Sequence, residues 1–194
     1  MKTISLALAL SLMIVSAVAG IGIGYWLTPQ YSLSMYDRNV MDLGQPDKWV
    51  DLRYLDAMIA HHRGAMLMAG QARQSRRAGI RNLASSILLD EPKNIDELYR
   101  WKQEWYGDRR SVRDPQVPKF GEMDGTFDLR FLNALIAHHR DGILMTREIR
   151  LKSSRSSILD NADRTEQFFE NGIAMLRGWR RQWYNITDPQ PELP

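Results

Sequence analysis

Cysteine is absent from the 194 residues of this chain. Disulfide frameworks, thiolate metal sites, iron–sulfur clusters and cysteine nucleophiles are therefore excluded together. A surplus of one charge sign is also missing, because 26 Lys and Arg residues stand against 23 Asp and Glu residues. The basic residues are spread over many segments, so nucleic acid is not expected as a partner. Any site for a soft metal ion has to use methionine and histidine.

Charge is also absent from the N-terminal segment. The 24 residues from Ile4 to Leu27 carry no charged side chain and follow a single basic residue, Lys2. About 20 apolar residues suffice to cross a bilayer, and Tyr25 and Trp26 are placed like interfacial anchors. Residues 17–20, Ala-Val-Ala-Gly, also fit a signal-peptide cleavage site. Residues 1–27 are thus predicted to be a signal peptide or an uncleaved membrane anchor, and both alternatives place the rest of the chain outside the cytoplasm, in the periplasm of a bacterium.

An internal repeat organises the rest of the chain. Asp51–Arg63 reads DLRYLDAMIAHHR and Asp128–Arg140 reads DLRFLNALIAHHR, with ten of thirteen positions identical. The match resumes where Trp101–Tyr106 pairs with Trp179–Tyr184, after one inserted residue has changed the offset from 77 to 78. Repeat units of about 51–107 and 128–184 are too long for common solenoid repeats and suit a pair of helices each.

Apolar periodicity predicts the helices of each unit. Leu52, Leu55 and Ile59 begin a stripe with helical spacing, and the second unit repeats it. Second helices are predicted over about 80–106 and 157–184, with Pro92 expected to kink or restart the first of them. Two such hairpins predict an all-α antiparallel four-helix bundle over 47–185, after a linker at 28–46 and before an irregular tail at 186–194. A homodimer that pairs the stripes between chains is the alternative.

The segment Met58–Ala69, MIAHHRGAMLMA, contains three thioethers and two imidazoles. On a helix, Met58, His61 and Met68 share one row, and Met58, His62 and Met66 share the neighbouring row. Thioether and imidazole donors select copper, Cu(I) ahead of Cu(II), over hard ions that prefer carboxylates. The competing interpretation is that the methionines fill a core and the histidines are satisfied within it.

The second unit has fewer sulfur ligands. Leu135 and Ile143 replace two of the methionines, and Met145 alone is retained beside His138 and His139. These three residues either add to a shared metal cluster or belong to a unit that is only a scaffold. A di-iron bundle centre is excluded because no Glu-x-x-His pair ends at these histidines. A His-Glu-x-x-His zinc site is excluded because the histidines are adjacent.

The MIAHHRGAMLMA segment resembles the ferritin-like family known as domain of unknown function 305, whose motif is a Met-Ile-x-His-His run followed by Ala and Met-Ala. The resemblance covers 51–107 well and 128–184 more loosely. It implies an exported four-helix bundle, and it implies that Met58, His61, His62 and Met68 are copper ligands. The chain departs from the family's Gln-x-x-Glu-Ile-x-x-Met run on the second helix, where it has Glu91, Asn94, Ile95 and Leu98 and, in the second unit, Phe169, Gly172, Ile173 and Leu176.

Together these observations predict a noncatalytic copper-binding protein outside the cytoplasm. It would buffer copper or exchange it with a donor or acceptor protein, and the N-terminal segment would hold it at the membrane. The predicted metal ligands are Met58, His61, His62, Met66, Met68, His138, His139 and Met145. The alternative function is an anchored helical scaffold that binds a partner and no metal.

Overall fold

The computed structural model describes residues 43–187 of the chain. Over that range it contains four helices and no strand: α1 (Val50–Ala72), α2 (Ala78–Tyr106), α3 (Phe127–Arg150) and α4 (Ser156–Tyr184). The predicted all-α four-helix fold is confirmed. The predicted signal or anchor at 4–27 lies outside the described residues. No helix between residues 43 and 187 is long and apolar enough to span a bilayer.

The four helices form two hairpins that meet through their first helices. α1 packs against α2, α3 packs against α4, and α1 and α3 join the two hairpins. Two ion pairs related by the repeat define the orientation: Arg155 Nε lies 3.0 Å from Asp51 Oδ2, and Arg77 Nε lies 3.2 Å from Asp128 Oδ2. Each pair joins the start of one helix to the turn that follows the other, so α1 and α3 are antiparallel.

The connection between the hairpins runs along α1. The Gln71 side chain donates to the carbonyl of Pro118 at 3.0 Å and accepts from the Phe120 N–H at 3.0 Å. Gly107 ends α2 in the left-handed region, with φ of +62°, and its N–H donates to the carbonyl of Gln103. Glycine suits this position because it has no Cβ to clash there.

The helix bounds agree closely with the sequence pattern, with one correction at Pro92. The predicted kink or restart does not interrupt α2, which continues as one helix from Ala78 to Tyr106 with Pro92 inside it. Proline removes one backbone donor at a cost of about 3 kcal/mol. Burial of Ile87 before the proline and Leu98 after it offsets that loss, because each buried side chain of this size contributes roughly 1.5 to 3 kcal/mol.

Candidate metal centre

The repeat brings two equivalent histidines into direct contact where α1 meets α3. The rings of His61 and His138 are both buried and stack with centroids 3.7 Å apart and planes 22° apart. His61 Nε2 lies 3.0 Å from the carbonyl oxygen of His138. A carbonyl only accepts, so His61 Nε2 carries the proton and donates, and His61 Nδ1 is the deprotonated nitrogen of the neutral ring.

Two helical glycines make room for these rings. A Cβ on Gly142 would lie 2.9 Å from His61 Nε2 and closer still to the ring of Phe169, and a Cβ on Gly172 would lie 2.7 Å from His139 Nε2. Glycine costs up to about 1 kcal/mol relative to alanine within a helix. The sequence prediction did not single out Gly142, and it named Phe169 only as a departure from the family's second-helix run. A glycine in the middle of a helix was the available signal of close approach.

The outer histidines of the two units have different neighbours. His62 Nδ1 lies 2.6 Å from Glu91 Oε2, and both side chains are buried. The equivalent histidine, His139, stacks on Phe169 with centroids 4.9 Å apart. With the offset of 78, Glu91 and Phe169 occupy the same position in their units. The repeat therefore preserves the histidines and changes what contacts them.

Burial keeps three of the four imidazoles neutral. Desolvation lowers the pKa of His61 and of His138 well below 6.5, and the neighbouring histidines lower both further. Desolvation also lowers the pKa of His139 to about 4, although Glu91 acts in the opposite direction. Burial would raise the pKa of Glu91, but hydrogen bonds with His62 and Asn94 outweigh it and lower that pKa. Neutral imidazoles are the form that binds metal.

The predicted methionine ligands do not gather on one side of the histidines. Met58 and Met145 are buried in the same cluster of core residues, toward the start of α1 and the end of α3. Met68 is buried in the other core cluster, with Phe131 and Leu132. Met66 is only partly buried. The thioethers therefore flank the histidines from two sides of the core.

A groove between α2 and α4 reaches the histidines from the surface. It encloses about 350 Å³. His62 lines the groove together with three carboxylates, one guanidinium and several polar and apolar groups. Besides His62, the complete lining consists of Leu83, Ser86, Ile87, Asp90, Glu91, Asn94, Glu97, Asn161, Arg164, Thr165, Phe168 and Phe169.

The residues present fit a soft ion better than a hard one. Among residues 43–187 no three His, Asp or Glu side chains are grouped so that they could hold a metal ion. A site that combines neutral imidazoles with thioethers needs no such group. In the same part of the chain, His139 Nδ1 is buried without a hydrogen-bond partner.

A known family model matches part of this chain. The family model described as Domain of unknown function (DUF305) matches residues 51–126, which confirms the resemblance seen in the MIAHHRGAMLMA segment. No curated protein matches the chain.

Solved structures of CopM share the fold. CopM in the Ag-bound form obtained by co-crystallization superposes with a TM-score of 0.62 at 24% identity, covering 69% of this chain and 97% of that one. CopM in the Cu(I)-bound form gives 0.61 at 24% identity, with 71% and 99% covered. CopM in the Cu(II)-bound form gives 0.58 at 25% identity, with 69% and 97% covered. The bundle of this chain therefore corresponds to nearly the whole length of those proteins.

Proposed function

We propose that this protein binds copper ions outside the cytoplasm, and that it buffers them or exchanges them with a donor or acceptor protein without catalysing a reaction. The observation that carries the proposal is the buried cluster of His61, His62, His138 and His139, which draws imidazoles from both repeat units. The likeness to CopM, solved with Cu(I), Cu(II) and Ag, supports the same kind of ligand here.

Cu(I) suits this donor set better than Cu(II). Thioethers are soft and uncharged, and they bind a monovalent soft ion without losing a proton. Three of the four histidines have lowered pKa values, so protons compete weakly with the metal at neutral pH. Met58 and Met145 would act from one side of the histidine cluster, and Met68 from the other. Met66, which is partly exposed, would serve ions that arrive from solvent.

Export is part of the proposal and rests on the sequence. The apolar segment 4–27 would either be removed or hold the protein in the membrane, and it would leave the bundle outside the cytoplasm. Copper exchange with another protein, or pairing of two copies, would then take place in that compartment.

Competition for Cu(I) with a calibrated chelator tests the proposal directly. The test variant combines Met58→Leu, His61→Ala, His62→Ala and Met68→Leu. The matched control is Met175→Leu, which removes a thioether from an exposed position on α4. Circular dichroism verifies that each variant remains helical.

We expect the native chain and the control to take Cu(I) from the chelator and the helical test variant to lose this ability. Absence of competition by the native chain at micromolar copper would leave the scaffold function in place of the copper function. Equal competition by the native chain and the test variant would move the copper site away from the MIAHHRGAMLMA segment.

A further inference from the structure

The two repeat units differ in what contacts the second histidine of each pair, His62 in the first unit and His139 in the second. His62 and Glu91 are each about 6% exposed. The side-chain amide of Asn94 donates to the same oxygen, Glu91 Oε2, at 3.1 Å. Glu91 is therefore held from two sides while it contacts His62.

The contact with Glu91 orients the ring of His62. A carboxylate oxygen accepts hydrogen bonds, and Glu91 Oε2 lies 2.6 Å from His62 Nδ1. When Nδ1 donates to Glu91, Nε2 is the ring nitrogen that keeps its lone pair for a metal ion. Metal-binding histidines are commonly held in this way, with the second ring nitrogen donating to a carboxylate that fixes the ring and raises its basicity.

The second unit has apolar rings at the equivalent place. His139 is 7% exposed and stacks on Phe169, with Phe168 at a centroid distance of 6.1 Å. Both phenylalanines line the α2–α4 groove, and His139 does not. Phe169 thus occupies with an apolar ring the position at which Glu91 presents a carboxylate in the first unit.

The charges that line the groove favour a cation. Asp90, Glu91 and Glu97 line it from α2, and Arg164 is the only basic side chain among the lining residues within 43–187. Asp90 and Glu97 also form ion pairs with Lys93 and Arg100, so Glu91 is the groove carboxylate that faces His62. A cleft lined by charges opposite in sign to an ion raises the local concentration of that ion. His62 is the one histidine among those residues.

We infer that a soft monovalent cation reaches the cluster through the α2–α4 groove, that His62 is its first ligand with Glu91 as positioning residue, and that Phe169 closes off His139. The inference rests on the proposed copper function and adds the route and the order of binding. It also makes the first repeat unit the one that exchanges metal.

Silver titration followed by nuclear magnetic resonance tests the order. Ag(I) is added to the full chain with ¹⁵N-labelled histidine, because silver is a redox-inert substitute for Cu(I). We expect the Nε2 resonance of His62 to shift at the first additions of Ag(I), with Nδ1 remaining protonated, and the His139 resonances to stay in place. Simultaneous or earlier shifts of His139 would overturn the inference.

Variants of Glu91 test its positioning role. Loss of a residue that orients a metal ligand typically lowers metal affinity about 10- to 100-fold, so we expect this loss in Glu91→Ala. Glu91→Gln should retain most of the affinity, because its amide oxygen still accepts from His62 Nδ1. Glu104→Gln is the matched control, since it removes an exposed carboxylate from the same helix at a residue that does not line the groove. Native affinity in a helical Glu91→Ala protein would contradict the role.

The outcomes separate the inference from the function on which it rests. If methionine methyl resonances shift with Ag(I) while His62 does not, copper binding stands and the route through His62 is wrong. If no resonance of either residue type shifts, both the inference and the copper function are wrong.

Discussion

His61 of α1 and His138 of α3 stack on each other at the centre of the bundle, with ring centroids 3.7 Å apart, and occupy equivalent positions of the two repeat units. The stack is compatible with a folded core only while both rings are uncharged. Desolvation, followed by the repulsion between neighbouring histidines, lowers the pKa of each ring well below 6.5. The metal-free protein should therefore respond to acid.

The free energy of unfolding of the metal-free protein is expected to fall as the pH drops below about 6.5. Below that pH the histidines of the unfolded chain bind protons, whereas the buried histidines of the folded protein do not. Because the unfolded state binds more protons, the free energy of unfolding decreases as the pH falls. His139 alone, with its pKa lowered to about 4, accounts for on the order of 3 kcal/mol by pH 4. Urea unfolding at pH 7.5, 6 and 5 measures the loss, and His139→Gln should reduce its slope. Equal stability at the three pH values would show that these rings are not buried in the neutral form.

Asp141→Asn is expected to stabilise the protein at pH 8. Desolvation raises the pKa of Asp141 to about 7, against the weaker opposing effect of Arg140, so the folded state keeps a proton that the unfolded chain loses above about pH 4. Stability therefore falls as the pH rises from about 4 to 7, and the neutral amide removes this loss. We expect a gain of roughly 1 to 3 kcal/mol at pH 8 after allowance for partial solvent screening. The same variant measured at pH 4 is the control, where no gain is expected.

Gly142→Ala is expected to destabilise the bundle by about 1 to 3 kcal/mol, because a methyl group there would overlap the ring of Phe169 and press on His61. Gly70→Ala on α1 is the matched control. A Cβ at Gly70 meets nothing within 4 Å, and alanine at a helical position should stabilise by up to about 1 kcal/mol. Thermal unfolding of both variants provides the comparison. A Gly142→Ala protein as stable as the native chain would mean that α3 and α4 are less closely packed than described.

Tyr54→Phe is expected to cost about 1 to 2 kcal/mol. The buried Tyr54 hydroxyl donates to Asn161 Oδ1 at 2.8 Å, and the substitution leaves that oxygen buried without its partner. In the internal repeat, Tyr54 corresponds to Phe131 and Asn161 corresponds to Leu83. The equivalent positions of the two units are therefore occupied by two apolar residues, Phe131 and Leu83, which belong to the same core cluster. Adding Asn161→Leu should therefore recover most of the loss, and a double-mutant cycle measured by urea unfolding would show it. Strictly additive losses would rule out the hydrogen bond as their cause.

Ag(I) is expected to raise the midpoint of thermal unfolding. A ligand that binds only the folded state stabilises it by about 2.7 kcal/mol at a free concentration 100 times its dissociation constant. The gain should disappear in the double variant His61→Ala, His138→Ala and remain in Met175→Leu. A rise that survives in the double variant would place the bound ion away from the stacked histidines.

The sequence alone determined the helices, the repeat and the division into two hairpins. Apolar spacing is a local property of each segment, so Leu55 and Ile59 identified the buried face of α1 without knowledge of its partner. The near-identity of 51–63 and 128–140 likewise determined that both units place a His-His pair on that face. The helix does not restart at Pro92, which was one of the two outcomes expected there, because the packing of the residues on either side overrides local propensity.

Only the tertiary structure decided which side chains meet. The rings of His61 and His138 stack because α1 and α3 pack antiparallel, and Gly142 lets the two helices approach. His62 meets a carboxylate while His139 meets a phenyl ring, because Glu91 and Phe169 come from the second helix of each hairpin. Met58 and Met68 share one row of α1 but lie in different parts of the core. Such contacts depend on how helices distant in sequence cross and fill space, a non-local property that no periodicity along one segment contains.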